Sequence, residues 1–212
     1  MKTKMLSFAA VVAAFLCFGS ANAQKTEKLF NGKDLSNWNF VVDGNTPAEN
    51  VFSVGDGVIK IKGNPFGYMY TKEKYSNYTL HVEWRWPNGG EKANSGIFLL
   101  IAEPKNPFPN GIECQLQAGN AGDFVLLGGS DLIQFCEKER PKFPIVRKNA
   151  ESSEKPAGEW NEANIYVKDG KINVYINGVY QNTGWNKQKE GFIGLQSEGK
   201  EVEFRNVTIT PW

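Results

Sequence analysis

Apolar and polar residues alternate along short runs of this chain, and turn dipeptides separate the runs. Tyr78–Trp86 sets Tyr78, Leu80, Val82, Trp84 and Trp86 on one face, with His81, Glu83 and Arg85 on the other. Gly111–Gln117 sets Ile112, Cys114 and Leu116 against Glu113, Gln115 and Gln117. This period of two belongs to β-strands with one face in a core. Further strands are expected at Val51–Val54, Val58–Ile61, Asn164–Lys168, Lys171–Ile176, Val179–Gln181, Phe192–Gln196 and Glu201–Thr210. Gly55-Asp56-Gly57, Asp169-Gly170 and Asn177-Gly178 join them, and such dipeptides suit the positive backbone angles of tight hairpins.

Two stretches depart from simple alternation. Gly96–Ile101 is apolar on both faces, which predicts a central strand covered from both sides. In Glu201–Thr210 the phase changes, since Val202 and Phe204 lie on one parity and Val207 and Ile209 on the other. A bulge near Arg205-Asn206 is therefore expected. Lys138–Pro156 is irregular and rich in charge, Pro and Ser, and reads as a long surface loop at the rim of the site. Almost nothing reads as a helix, so the expected fold class is an all-β sandwich or barrel.

The N-terminus has a different character. Lys2 and Lys4, the apolar Leu6 to Phe18 and the small Ala21-Asn22-Ala23 form a secretion signal cleaved after Ala23, leaving one domain, residues 24–212. Bulky Leu16 and Phe18 around Cys17 argue against a lipoprotein site. No later segment is long and apolar enough to cross a membrane. Without Lys2 and Lys4 the balance is 22 basic against 23 acidic residues, which gives no support for nucleic-acid binding. A single His and no Cys/His cluster argue against a zinc site, and no cofactor is expected. Cys114 and Cys136 remain after cleavage; a disulfide between them is left open, because Cys114 also fits as a small buried apolar residue.

The candidate chemistry lies on the polar faces of two strands. Glu113, Gln115 and Gln117 line up on one. His81, Glu83 and Arg85 line up on the other, where an ordinary cross-strand ion pair is the simpler account. If the two faces adjoin, Glu113 and Glu83 share a cleft and divide acid and base work. Asn94 and Ser95 enter the buried strand from a loop, placed to bind a hydroxyl or merely to shape a turn.

The ordered segments Leu29-Phe30-Asn31-Gly32-Lys33-Asp34-Leu35 with Trp38, Glu83-Trp84-Arg85, Asn94-Ser95-Gly96-Ile97-Phe98, Glu113-Cys114-Gln115, Gly158-Glu159-Trp160-Asn161, Asn177-Gly178, Gly194-Leu195-Gln196 and Glu203-Phe204-Arg205-Asn206 resemble the 3-keto-disaccharide hydrolase family. The resemblance spans about the whole of the mature chain. It implies a concanavalin A-like jelly-roll sandwich of two antiparallel sheets, export from a bacterium, and action on glycosides oxidised at C3. It places Glu113 and Gln115 on a Glu-x-Gln strand, Glu83 and Arg85 on a Glu-x-Arg strand, Asn94 and Ser95 on an Asn-Ser-Gly turn, and Arg205 on a closing Phe-Arg-Asn. Where the family carries His before Gly, this chain reads Gln196-Ser197-Glu198-Gly199, so an imidazole role passes to Glu198 or is absent.

The expected site is thus a concave sheet presenting Glu113 and Glu83 as catalytic groups. Gln115, Gln117, Arg85, His81, Asn94, Ser95, Gln196, Glu198 and Arg205 would surround a carbohydrate. The expected reaction is cleavage of a 3-keto glycoside, with direct two-carboxylate hydrolysis as the enzymatic rival. A carbohydrate-binding module without catalysis and a structural adhesion domain are the readings from other classes.

Overall fold

The computed structural model describes residues 24–135 and 139–212. The leader, residues 1–23, and Cys136 lie outside the described residues. The strands in chain order are β1 (Glu27–Lys28), β2 (Trp38–Val42), β3 (Phe52–Gly55), β4 (Val58–Ile61), β5 (Gly67–Thr71), β6 (Tyr78–Arg85), β7 (Gly96–Ile101) and β8 (Gly111–Gln115). They continue with β9 (Phe124–Leu127), β10 (Ile145–Val146), β11 (Asn161–Lys168), β12 (Lys171–Ile176), β13 (Val179–Trp185), β14 (Phe192–Ser197) and β15 (Val202–Pro211). Among the described residues the only helical element is a 3-10 turn at Ala48–Asn50. None of these residues forms a helix long and apolar enough to cross a membrane.

The strands build two antiparallel sheets. One, here the back sheet, runs β13-β12-β11-β6-β15-β4-β3, with β1 paired to β15; the other, the front sheet, runs β10-β9-β8-β7-β14-β5-β2. Leu80, Val82 and Trp84 of β6 pack in one buried cluster with Ile97 and Leu99 of β7 and Ile112 and Cys114 of β8, so the main core lies between the sheets. Each such fully buried side chain contributes roughly 1.5–3 kcal/mol through removal of apolar surface from water.

The local signals of the sequence are realised. Asp56 and Gly57, Asp169 and Gly170, and Asn177 and Gly178 all have positive φ, between 49° and 82°. β7 is buried throughout and occupies the middle of the front sheet. The β15–β6 register shifts between Arg205 and Thr208, with Asn206 at φ 49°, which is the expected bulge.

The loop before β11 is less free than its composition suggests. Arg147 donates to buried Asp123 at 2.7 Å, and Lys148 donates its backbone N–H to the same carboxylate at 2.8 Å. Asn182 holds the carbonyls of Gly122 and Val146, both at 3.1 Å. These ties hold the segment in which Ile145–Val146 pairs with β9 as its edge partner β10.

Candidate active site

Because Ile112 and Cys114 point into the core, Glu113 must point outward from the front sheet, and it does so from a floor that is almost completely buried (2 % exposed). Cys114 is a free, buried thiol. A second apolar cluster covers this outer face: Tyr68, Phe98, Ile101, Val125 and Leu127, flanked by Phe108 and Phe143 from the loops and Ile145 from β10. Glu113 therefore sits at the base of a cavity of about 400 Å³, together with Asn94, Gln115 and Glu198. A neighbouring space of about 360 Å³ shares Phe66, Asn94 and Glu198 and adds Lys92 and Gln117. Both fall in the ~300–1,000 Å³ range of small-molecule sites.

The carboxylate lies across β7 at Gly96. A Cβ added to Gly96 would stand 2.4 Å from Glu113 Oε1 and 2.6 Å from its Cγ. Here glycine is required by close approach. Among the described residues Glu113 Oε1 has no hydrogen-bond partner, and the same is true of Asn94 Oδ1 and Gln196 Oε1, all of them buried atoms. Unsatisfied buried polar atoms are costly in a native protein, and two of these three, on Glu113 and Asn94, belong to residues that line the cavity.

Electrostatics separate the two carboxyls of this cleft. Burial, and secondarily the charge of Glu198, push Glu113 well above the usual carboxylate range. Burial also raises Glu198, but hydrogen bonds from Gln196 and Asn94 oppose that rise. Gln196 Nε2 donates to Glu198 Oε2 at 2.6 Å. A backbone bridge between Asn94 and Glu198 brings that loop and the end of β14 together. Gln115 Oε1 accepts from the backbone of Leu116 and Gln117, both at 3.0 Å, which fixes the amide beside Glu113.

The structure does not unite the two faces that the sequence offered. Glu83 is on β6 of the back sheet, and with its neighbours Val82 and Trp84 in the core it points out of the opposite side of the sandwich. There Arg205 donates to Glu83 Oε2 and Asn206 to Oε1, each at 2.6 Å. Arg85 donates to Glu203 at 2.6 Å, and His81 bonds Asn164 at 2.8 Å. Partial burial alone would raise Glu83, yet the bonds from Asn206 and Arg205 and the charges of Arg205 and His81 hold it below the usual range. Glu83, Arg85, His81 and Arg205 thus form a satisfied ion-pair surface; strand pairing puts them across the sandwich from Glu113. Ser95 is fully buried and its hydroxyl donates to the Gln196 carbonyl at 2.8 Å, so it ties the loop to β14. Gln117 lies beyond the end of β8, in the neighbouring space beside Asn94 and Glu198.

The aromatic wall, Phe66, Phe108 and Phe143, and the cation Lys142 carry no local pattern that marks them as site residues. Only the rim reading of Lys138–Pro156 pointed toward two of them.

The two antiparallel sheets thus form a jelly-roll sandwich with a buried carboxyl at the floor of an outward cleft. The likeness in fold extends to solved structures. A proposed glycosyl hydrolase from Parabacteroides distasonis ATCC 8503 superposes with TM-score 0.65 at 22% identity, covering 88% of this chain and 94% of that one. The β-glucanase of Bacillus licheniformis superposes with TM-score 0.55 at 11% identity, covering 91% and 99%. The chain belongs to the family described as the 3-keto-alpha-glucoside-1,2-lyase-like domain, which residues 25–210 match. A 3-keto-disaccharide hydrolase of Bacteroides thetaiotaomicron is 27% identical over 232 residues, spanning 85% of this chain and 76% of the relative. Family and relative together make this a glycosidase-type enzyme.

Proposed function

We propose that the protein cleaves the glycosidic bond of a 3-keto glycoside by elimination followed by hydration, with Glu198 as base and Glu113 as acid. The observation that carries this reading is the buried, unpaired Glu113 carboxyl beside a second carboxyl that keeps its hydrogen bonds. Family membership supports the substrate class.

The chemistry follows from the ketone. A carbonyl at C3 acidifies the proton on C2, and the Glu198 carboxylate removes it; the electron pair moves onto the C3 oxygen as an enolate. Amide donors of Asn94 and Gln115 stabilise that charge. The enolate collapses to form a C1=C2 bond and breaks the bond from C1 to the leaving oxygen, which takes the proton of Glu113. Burial raises the affinity of Glu113 for that proton, the direction a general acid requires. Water then adds to C1, its proton returning to Glu113 while Glu198 returns its own to C2. The sum is hydrolysis with both carboxyls restored. Arg85 has no part in this scheme because it lies on the back sheet.

Export, read from residues 1–23, places the reaction outside the cytoplasm; a mature N-terminus at Gln24 in a cell-envelope or secreted fraction tests that. The central test incubates residues 24–212 with matched ordinary and 3-keto disaccharides in D₂O. Monosaccharide should appear from the keto substrate alone, with deuterium entering at C2. Glu113→Gln should retain C2 exchange but lose cleavage, whereas Glu198→Gln should lose both. Equal release from the ordinary disaccharide would instead establish direct two-carboxylate hydrolysis. Sugar binding with no turnover would make this a binding module.

A further inference from the structure

The cleft has two chemically unlike lobes, and they meet at Asn94, Glu198 and Phe66. One lobe is polar, with Asn64, Lys92 and Gln117 at its walls. The other is walled by Phe66, Phe108, Phe143, Val125, Leu127 and Ile145, with Glu113 at its floor and Lys142 on its lining. The three phenyl rings form a continuous arc: Phe66 to Phe108 is 5.6 Å between centroids and Phe108 to Phe143 is 5.1 Å, both tilted.

The arc is held in place from outside the cleft. The Phe66 carbonyl accepts the Asp43 N–H at 2.8 Å, and the Phe108 N–H bonds Asn106 Oδ1 at 2.9 Å. Phe66 nevertheless stays 42 % exposed. A large apolar side chain left open at the mouth of an apolar cavity offers surface that only a ligand covers.

We propose that the group expelled from C1 is an aromatic alcohol or phenol seated in the phenylalanine lobe, while the oxidised sugar ring occupies the polar lobe. This rests on the keto-glycoside reading above and sharpens its substrate class. A second sugar carries hydroxyls all around its ring, and Gln115 and Lys142 can meet those on one side. The six apolar side chains that make up most of the wall offer the others no partner, and buried hydroxyls without partners weaken binding. An aryl group needs none and stacks edge or face against the phenyl arc. The placement also agrees with the chemistry: the acid Glu113 is in the lobe of the leaving group, and the base Glu198 is at the junction, beside the sugar.

The test compares two 3-keto glucosides that differ in the leaving group, benzyl alcohol against glucose. Benzyl alcohol is aromatic but a poor leaving group, so a preference for it reports the lobe and not intrinsic reactivity. The parent should favour the benzyl glycoside by about tenfold or more in kcat/KM, chiefly through KM, the scale on which apolar pockets discriminate. Phe66→Ala and Phe108→Ala should each cut the benzyl-to-glucosyl ratio by about tenfold. Phe66 is partly solvent-exposed, so its variant should keep the parental thermal midpoint even if Phe108→Ala unfolds. A parental ratio near one, or a ratio unchanged in Phe66→Ala, overturns the proposal and leaves the keto-glycosidase reading standing. Failure to turn over either 3-keto compound removes that reading, and the proposal with it.

Discussion

The two outer faces of the sandwich carry the same kinds of residue and do opposite things with them. On the back sheet, Glu83 meets Arg205, Asn206 and His81, and Glu203 meets Arg85. Trp160 lies under both guanidinium groups, 4.6 Å from Arg85 and 4.1 Å from Arg205. On the front sheet, Glu113 has neither a cation nor a hydrogen bond at Oε1 among the described residues. A dense polar cluster is thus the quieter face, because its charges already satisfy one another. The isolated carboxyl under an apolar cover is the one whose proton affinity burial raises, and a shifted proton affinity is what acid–base chemistry uses.

The sharpest break of this comparison is catalytic. Glu113→Gln should lower kcat by roughly two orders of magnitude or more, the scale of a lost general acid. Glu83→Gln should leave kcat within about twofold. Steady-state kinetics on a confirmed keto glycoside decide it, and a large loss from Glu83→Gln would reinstate the back face.

Next is Gly96→Ala. The new methyl meets the Glu113 side chain at under 3 Å, so the carboxyl must move. A displacement on the order of 1 Å should cost about 10- to 100-fold in kcat with the circular dichroism spectrum retained. Parental activity would mean that the carboxyl's position over β7 is immaterial.

The pH dependence of stability should carry opposite signs for the two faces. Glu113 is raised in the folded state, so the native protein binds the proton more tightly than the unfolded chain. Its contribution is complete below the ordinary carboxylate pKa and is lost as pH rises above it. Glu83 is lowered, so its contribution is present above the ordinary pKa and is lost as pH falls. Thermal midpoints from pH 3 to 9 should show Glu113→Gln gaining on the parent toward high pH. Glu83→Gln should lose most at neutral pH and converge with the parent in acid.

The smallest expected effect is that of Arg205→Met. Arg205 is 40 % exposed in its pair with Glu83, so the change should cost no more than about 1 kcal/mol and leave kcat alone. A chemical denaturation midpoint and one kinetic assay suffice.

How much of this was legible beforehand differs between the sheets in the same way. The back-sheet strands β3, β4, β6, β11, β12, β13 and β15 were readable because one face is wet and the other dry. The strands missed, apart from β1, belong to the front sheet: β2, β5, β9 and β10. β9 is Phe-Val-Leu-Leu and buried at every position, and β5 is buried at four of five, so alternation is erased where both faces are covered. The sheet that bears the cleft is the one whose pattern burial hides.

By itself, then, the sequence determined what local geometry determines. Positive-φ dipeptides placed the hairpins, the period of two put Glu113 opposite Cys114, and the phase change at Arg205-Asn206 announced the bulge. It could not decide which strands become neighbours, since pairing depends on contacts between distant segments. That is why Glu83 and Glu113, alike in pattern, part to opposite sides while Glu198 and Asn94 come to Glu113. Nor could it show that Phe66, Phe108 and Phe143 roof the cleft. Their burial of the Glu113 surroundings changes the carboxyl's affinity for its proton, and desolvation is a property of the folded whole.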